Sequence, residues 1–332
     1  MVDVLLRPGY TDRARGSESR GVPDRFRASQ SMSHLMNSVL IAGALGLLIP
    51  LAIAGKTFWV EYASFDDPGR PVRTAQARAA LPRLEEVSWE SEGAALRGWF
   101  VPGRERAAVV LVHGSGGNRD DLLGELKILA EAGFTLLAFD WPGQGESGGR
   151  IHWEEPERAA VRSALLWLSA RPEVDPARIG AFGFSLGTVP LLQVAVHDPR
   201  LHALALAGAP IGYEDHIRWD FRKYGPISQL PGLWADRLRG MHMDDQIPLQ
   251  IVSEFAPRPL LFILGEDDGI VPPAKTRQLF AAAREPKELL ALPGVGHGEY
   301  AARGEAVYAE HLTTFFKRAL LDAASASAGA AQ

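Results

Sequence analysis

From residue 84 to about residue 320, short runs of β-branched and aliphatic residues alternate with stretches whose apolar residues recur at helical spacing. That alternation is the pattern of parallel strands joined by crossover helices. Residues 107–112, AAVVLV, are apolar without interruption, as expected of a strand covered on both faces. The pattern then predicts a helix from Arg119, with Asn118 as its cap, Leu122, Leu126 and Leu129 on one face, and Gly133 just past its end. Further strands are expected at 135–139, 178–184, 203–207, 259–264 and 288–292, after an opening pair at 87–89 and 97–101 around the Glu92-Gly93 turn. Helices are expected over 155–170, 186–196, 274–283 and 304–320. Together these elements make one α/β domain: a mostly parallel sheet of about eight strands with helices on both faces. The long interval between the strands at 203–207 and 259–264 holds an inserted lid, residues 211–255.

Ahead of this body the pattern changes. Residues 1–34 are rich in Arg, Ser, Gly and Asp without apolar periodicity, the composition of a disordered tail. Residues 35–55, beginning LMNSVLIAGALGLLIPLAIA, carry no formal charge and match the length a helix needs to cross a bilayer. A buried core helix is the bland reading, but soluble helices of this length usually keep a polar face. A cleaved signal is the sharper rival, since Ala52-Ile53-Ala54 has the small-x-small form of a cleavage site and Pro50 precedes it. The leader before the run is long for a signal, which favours a retained single-pass anchor. Arg15, Arg20, Arg25 and Arg27 precede the run and Lys56, Arg70 and Arg73 follow it, a slight bias toward a cytoplasmic N-terminus and an outward-facing domain. Residues 56–83 read as a connector with a short helix at 72–80, and residues 323–332 as a frayed tail.

Composition narrows the chemistry. A net charge of −5 with scattered arginines gives no footprint for nucleic acid. With no cysteine there is no disulfide, thiolate metal site or cysteine nucleophile, so covalent chemistry falls to another residue type. The histidines show no ligand-like spacing, and neither a metal nor an organic cofactor is expected.

Gly-x-Ser-x-Gly occurs twice, around Ser147 and around Ser185. A nucleophile at a sharp turn needs a strand that stops abruptly, a strained serine and a helix that starts at once, with small residues either side. RIGAFGF, Ser185, LGTVPLLQVAV has that order, whereas Ser147 is followed by Gly148-Gly149-Arg150 and reads as a loop. An alcohol is a weak nucleophile at neutral pH and needs a base, for which imidazole is suited. His297, in Gly294-Val295-Gly296-His297-Gly298 after the last strand, is the candidate; His311, His197 and His202 lack such a setting. The imidazole needs a carboxylate in turn, and the Glu266-Asp267-Asp268 turn offers three that spacing does not distinguish. Two backbone donors for an oxyanion are expected, one the amide of Leu186 and one from the turn His113-Gly114-Ser115-Gly116-Gly117. No Gly-Lys-Ser/Thr follows that turn, which makes a nucleotide cradle a weak reading.

These residues resemble the α/β-hydrolase superfamily over roughly residues 84–320. The order Ser185, Asp268, His297 is that family's, and Gly265-Glu266-Asp267-Asp268-Gly269-Ile270-Val271-Pro272 is similar to its Gly-x-x-Asp-x-x-Val-Pro motif, which implies Asp268 as the acid. HGSGGN resembles the family's oxyanion turn and implies the amide of Ser115 as the second donor. Residues 140–147 resemble its glycine-rich loop, with Pro142 where Arg is frequent. In the lid, Tyr213, Trp219, Phe221, Tyr224, Trp234, Met241 and Met243 either line a pocket for an apolar acyl group or only pack the lid onto the body. The expected function is hydrolysis of a carboxylic ester or thioester, from a small molecule or a lipid, at a membrane. A serine peptidase or aminopeptidase is the alternative, with Glu214, Asp215 or Asp220 holding a substrate amine, and a membrane-tethered scaffold without turnover is a third reading.

Overall fold

An apolar stretch with no polar side gives a helix nothing to bury one face against, and here it forms α1 (Asp24–Ser64), with Pro50 inside it. The computed structural model describes residues 24–66, 70–241 and 246–322. The chain divides into two compact units, residues 1–52 and residues 53–332. In the first, the described part is helix, with Leu35, Val39, Leu40, Leu47, Leu48 and Leu51 all exposed. The helix from Met32 to Ser64 is long and apolar enough to cross a membrane. Of the tail expected over residues 1–34, residues 24–34 are helix, the start of α1, and the rest lies outside the described residues, as does the tail expected at 323–332.

The second unit opens with the last turns of α1, so the stretch from residue 56 to Ser64 is helical. The short helix α2 (Thr74–Ala80) follows. Strands β1 (Glu85–Ser91) and β2 (Ala94–Val101) form an antiparallel hairpin whose two-residue turn, Glu92-Gly93, takes positive φ at both positions, +47° and +79°. Then come β3 (Ala108–Val112), α3 (Leu123–Glu131), β4 (Thr135–Phe139), α4 (Glu155–Ser169), β5 (Ile179–Phe184), α5 (Thr188–Ala195) and β6 (Leu201–Ala207). The lid supplies α6 (Tyr213–Asp220), α7 (Pro226–Leu238) and α8 (Pro248–Ile251). The body closes with β7 (Leu260–Gly265), α9 (Pro273–Ala282), β8 (Lys287–Leu292), α10 (Tyr300–Arg303) and α11 (Glu305–Lys317).

The eight strands form one sheet in the order β1-β2-β4-β3-β5-β6-β7-β8. Only the β1–β2 and β2–β4 pairings are antiparallel. Strand pleating sends alternate side chains to opposite faces. Ala108, Val110 and Val112 meet Leu165 and Leu168 of α4 and Leu191 of α5, while Val109 and Leu111 share the other core with Leu126 of α3 and Phe315 and Phe316 of α11. Each fully buried Val or Leu contributes about 1.5–3 kcal/mol. That double cover explains why β3 is apolar at every position. Parallel strands also bring the C-terminal ends of β3, β5, β7 and β8 to one edge of the sheet, where the loops carrying the chemistry gather.

Candidate active site

The turn after β5 is the most constrained point of the site. Ser185 has φ +52°, in the left-handed region, and a single 3₁₀ turn (Ser185–Gly187) leads into α5. The flanking glycines have steric reasons. A Cβ on Gly187 would lie 2.1 Å from the carbonyl oxygen of His113, and one on Gly183 would lie 2.9 Å from Leu191 and 3.2 Å from the Cα of Thr188. On the facing turn, a Cβ on Gly114 would lie 2.8 Å from the Cβ of Ser185, so the turn after β3 closes onto the serine only because that position has no side chain.

Three loops distant in sequence converge on Ser185. His297, on the turn after β8, places Nε2 2.9 Å from Ser185 Oγ, and its Nδ1 lies 2.7 Å from Asp268 Oδ2. A carboxylate can only accept, so the ring proton belongs on Nδ1 and Nε2 is free to accept from the serine hydroxyl. Asp268 follows β7, and its Oδ1 accepts from the amides of Ile270 (2.9 Å) and Val271 (2.8 Å). Those two amides aim the other oxygen at the imidazole. Of the three carboxylates in that turn, Glu266 pairs with Arg277 and Asp267 is exposed, which leaves Asp268 against the ring. Phe184 stacks obliquely on the imidazole with centroids 4.7 Å apart.

Ser115 and Leu186, whose amides the sequence nominates as oxyanion donors, both line the cavity into which Ser185 and His297 open. The turn carrying Ser115 is pinned by a residue that sequence reading passed over. His113 is fully buried; its Nδ1 lies 2.8 Å from the carbonyl of Gly114 and its Nε2 accepts from the amide of Trp141 at 3.2 Å. The indole of Trp141 donates back to the His113 carbonyl at 2.7 Å. Burial pushes the His113 imidazole down to about 4, so it is a neutral strut at physiological pH. Behind it, buried Arg119 pairs with Asp140 and with Glu146 and lies 5.0 Å above the ring of Trp99. The expected cap holds as well, Asn118 accepting from the amide of Asp120 at 2.9 Å. Ser147, the other serine in a Gly-x-Ser-x-Gly pattern, donates to the Asp140 carbonyl (2.8 Å) and accepts from the Arg97 amide (2.9 Å), which makes it a loop fastener.

The cavity encloses about 590 Å³. Leu186, Ile217, Ile270, Phe182 and Phe184 give it apolar wall, and Glu61, Asp220 and His216 give it polar wall. The lid aromatics do not line it, so of the two readings of those side chains the pocket-lining one is not met. Tyr213 packs on Trp153 and Met241 is buried in the core, whereas Tyr224 and Trp234 point outward. Phe221 packs against the body and Trp219 lies under the Arg222 guanidinium; Met243 falls outside the described residues. The lid was legible by composition, but composition does not say which way a helix is turned. Of the three lid carboxylates proposed to hold an amine, Glu214 pairs with Arg218 and Asp215 with Lys275, and Asp220 alone lines the cavity. Among the described residues no group of three or more His, Cys, Asp or Glu side chains converges as a metal site.

A serine on a sharp strand-to-helix turn, at one edge of a mostly parallel sheet, with a histidine and an aspartate from later loops, defines the α/β hydrolases as a class. The description "alpha/beta hydrolase fold" matches residues 107–236. The chain is 34% identical over 228 residues to an uncharacterised protein of Mycobacterium tuberculosis, covering 67% of this chain and 75% of that one. It is 27% identical over 245 residues to the uncharacterised protein YfhR of Escherichia coli K12, covering 69% and 78%. An esterase of Pyrococcus furiosus superposes with a TM-score of 0.66 at 19% identity, over 77% of this chain and 98% of that one. The chain belongs to the α/β-hydrolase superfamily, and it has the fold of a hydrolase.

Proposed function

We propose that this hydrolase cleaves carboxylic esters or thioesters through an acyl-enzyme, with Ser185 as nucleophile, His297 as base and Asp268 as the group that orients it. The unbroken relay from Ser185 Oγ through the imidazole to Asp268 carries the reading. Ser185 Oγ attacks the substrate carbonyl carbon while its proton passes to His297 Nε2. The oxyanion is held by the amides of Leu186 and Ser115. Collapse breaks the bond to the leaving alcohol or thiol, which takes the proton from Nε2, and a water activated by the same ring then hydrolyses the acyl-serine. Leu186, Ile217 and Ile270 support an apolar acyl group. The uncharged run at 35–55 supports anchoring as a single-pass protein, with the hydrolase domain outside the cytoplasm and its substrate a small-molecule or lipid ester.

Fluorophosphonate labelling of the full chain tests the reading. Labelling is expected to disappear in Ser185→Ala and persist in Ser147→Ala, with hydrolysis of medium-chain p-nitrophenyl esters following the same pattern. Labelling that survives Ser185→Ala overturns it, and an unlabelled parent chain leaves the scaffold reading. Asp220 on the cavity wall favours a second reading, cleavage of a substrate that carries an amine. Turnover of aminoacyl amides with no turnover of neutral esters selects that reading over the first.

A further inference from the structure

Lid helix α7 exposes an apolar stripe. At 100° per residue, Ile227, Leu230, Trp234 and Leu238 fall within about 80° of arc. All four are exposed, from 43% for Ile227 to 61% for Trp234. The opposite side, which packs onto the body, buries Leu233 and Ala235 but also Ser228, Gly232 and Asp236. Asp236 is fully buried beside Glu61, and burial pushes both carboxyls up, Asp236 to about 6 and Glu61 to about 9. A helix bathed in water on its outer side carries polar residues there.

The neighbour of that outer face says what covers it. The last turns of α1 pack against α7: Phe58 meets Trp234 with ring centroids 5.4 Å apart, and Arg239, just past the end of α7, lies 4.4 Å from the centre of the Tyr62 ring. Trp59 and Val60, in the same turns of α1, are exposed, 67% and 50%. Trp59 lies five residues after Ala54, the end of the uncharged run, which is only about 8 Å of helix. Exposed Lys56, Arg222, Lys223 and Arg237 rim this surface with positive charge suited to lipid phosphates, and two tryptophans occupy it, the residue type that collects at the membrane boundary.

We propose that the outer face of α7, Ile227, Leu230, Trp234 and Leu238, together with Trp59, is a membrane-docking surface that seats in the headgroup and upper acyl region of a lipid bilayer. The inference rests on the reading of residues 35–55 as an anchor.

A chain without native cysteine allows a direct test. Full-length single-cysteine variants Leu230→Cys and Leu238→Cys, with Leu166→Cys on α4 as an exposed control and Leu45→Cys in the apolar run, are labelled with a nitrobenzoxadiazole dye. They are reconstituted in vesicles of phosphatidylcholine with phosphatidylglycerol. Labels at 230 and 238 are expected to be quenched several-fold more by doxyl lipid than the label at 166, and several-fold less by aqueous iodide. Iodide quenching at 230 and 238 equal to that at 166 overturns the docking surface. Labels there that are shielded from both quenchers overturn it too, and point to a second copy of the chain on the stripe. The label at 45 reads the anchor separately: lipid quenching at 45 without 230 and 238 removes the docking surface alone, and the converse keeps the docking surface and removes the span.

Discussion

Ser185 pays for its position in backbone strain, and its neighbours are chosen for what they lack. A non-glycine residue at φ +52° costs on the order of 1–2 kcal/mol, sustained only because the packing around it leaves no relaxed alternative. Gly187→Ala is therefore expected to do more than slow the reaction. The new Cβ meets a backbone oxygen, which cannot swing aside, and a lower Tm together with lost ester hydrolysis is the outcome to measure. Asp268→Asn keeps the shape but removes the charge that fixes the histidine tautomer, so kcat should fall by about 10⁴ with the fold intact by circular dichroism. His113 makes a pH prediction. Its imidazole titrates near 4 when folded because it is buried, and near 6.5 when unfolded, so the unfolded chain binds the extra proton between those values. Stability from this group is complete above pH 6.5 and is lost as pH falls toward 4, by up to about 3 kcal/mol. Denaturant midpoints measured across that range should show a shallower slope in His113→Asn than in the parent.

At the scale of elements, the strands and the elbow were legible because their signals are local. β3 reads as a doubly covered strand from six consecutive apolar residues, and the strand, serine, helix order around Ser185 separates it from Ser147 without any distant contact. The choice among Glu266, Asp267 and Asp268 was not legible from spacing. It is made by the amides of Ile270 and Val271, which turn one carboxylate toward the ring. The bolt of Arg119, Asp140 and Glu146 and the wall formed by Glu61 were equally hidden, since each joins residues that only the folded chain brings together. The facing of α7 was hidden for a related reason: its apolar periodicity shows a stripe but not the side that stripe occupies. Helix α7 gives a stability contrast. Leu233→Ala, on the packed side, should cost about 2–5 kcal/mol, whereas Leu230→Ser and Leu238→Ser should each stay within about 0.5 kcal/mol in detergent, read by thermal unfolding.

For the molecule as a whole, the two compact units treat their apolar side chains differently. Residues 53–332 bury apolar strands between layers of helix, and the apolar run before them exposes its side chains along the helix. If that run spans a bilayer, the protein should stay with membranes through alkaline carbonate extraction, and replacing Leu40, Leu47 and Leu48 by Gln should release it to the soluble fraction. The end of α1 has a double duty with a practical result. Glu61 and Ser64 are part of the cavity that holds Ser185, so the end of α1 forms part of the chamber wall. A protease that clips the chain at Ala54 would shed a hydrolase whose chamber is whole, but a cut beyond Ser64 would carry that wall away. The place of cleavage, more than its occurrence, would decide whether a released fragment still turns over.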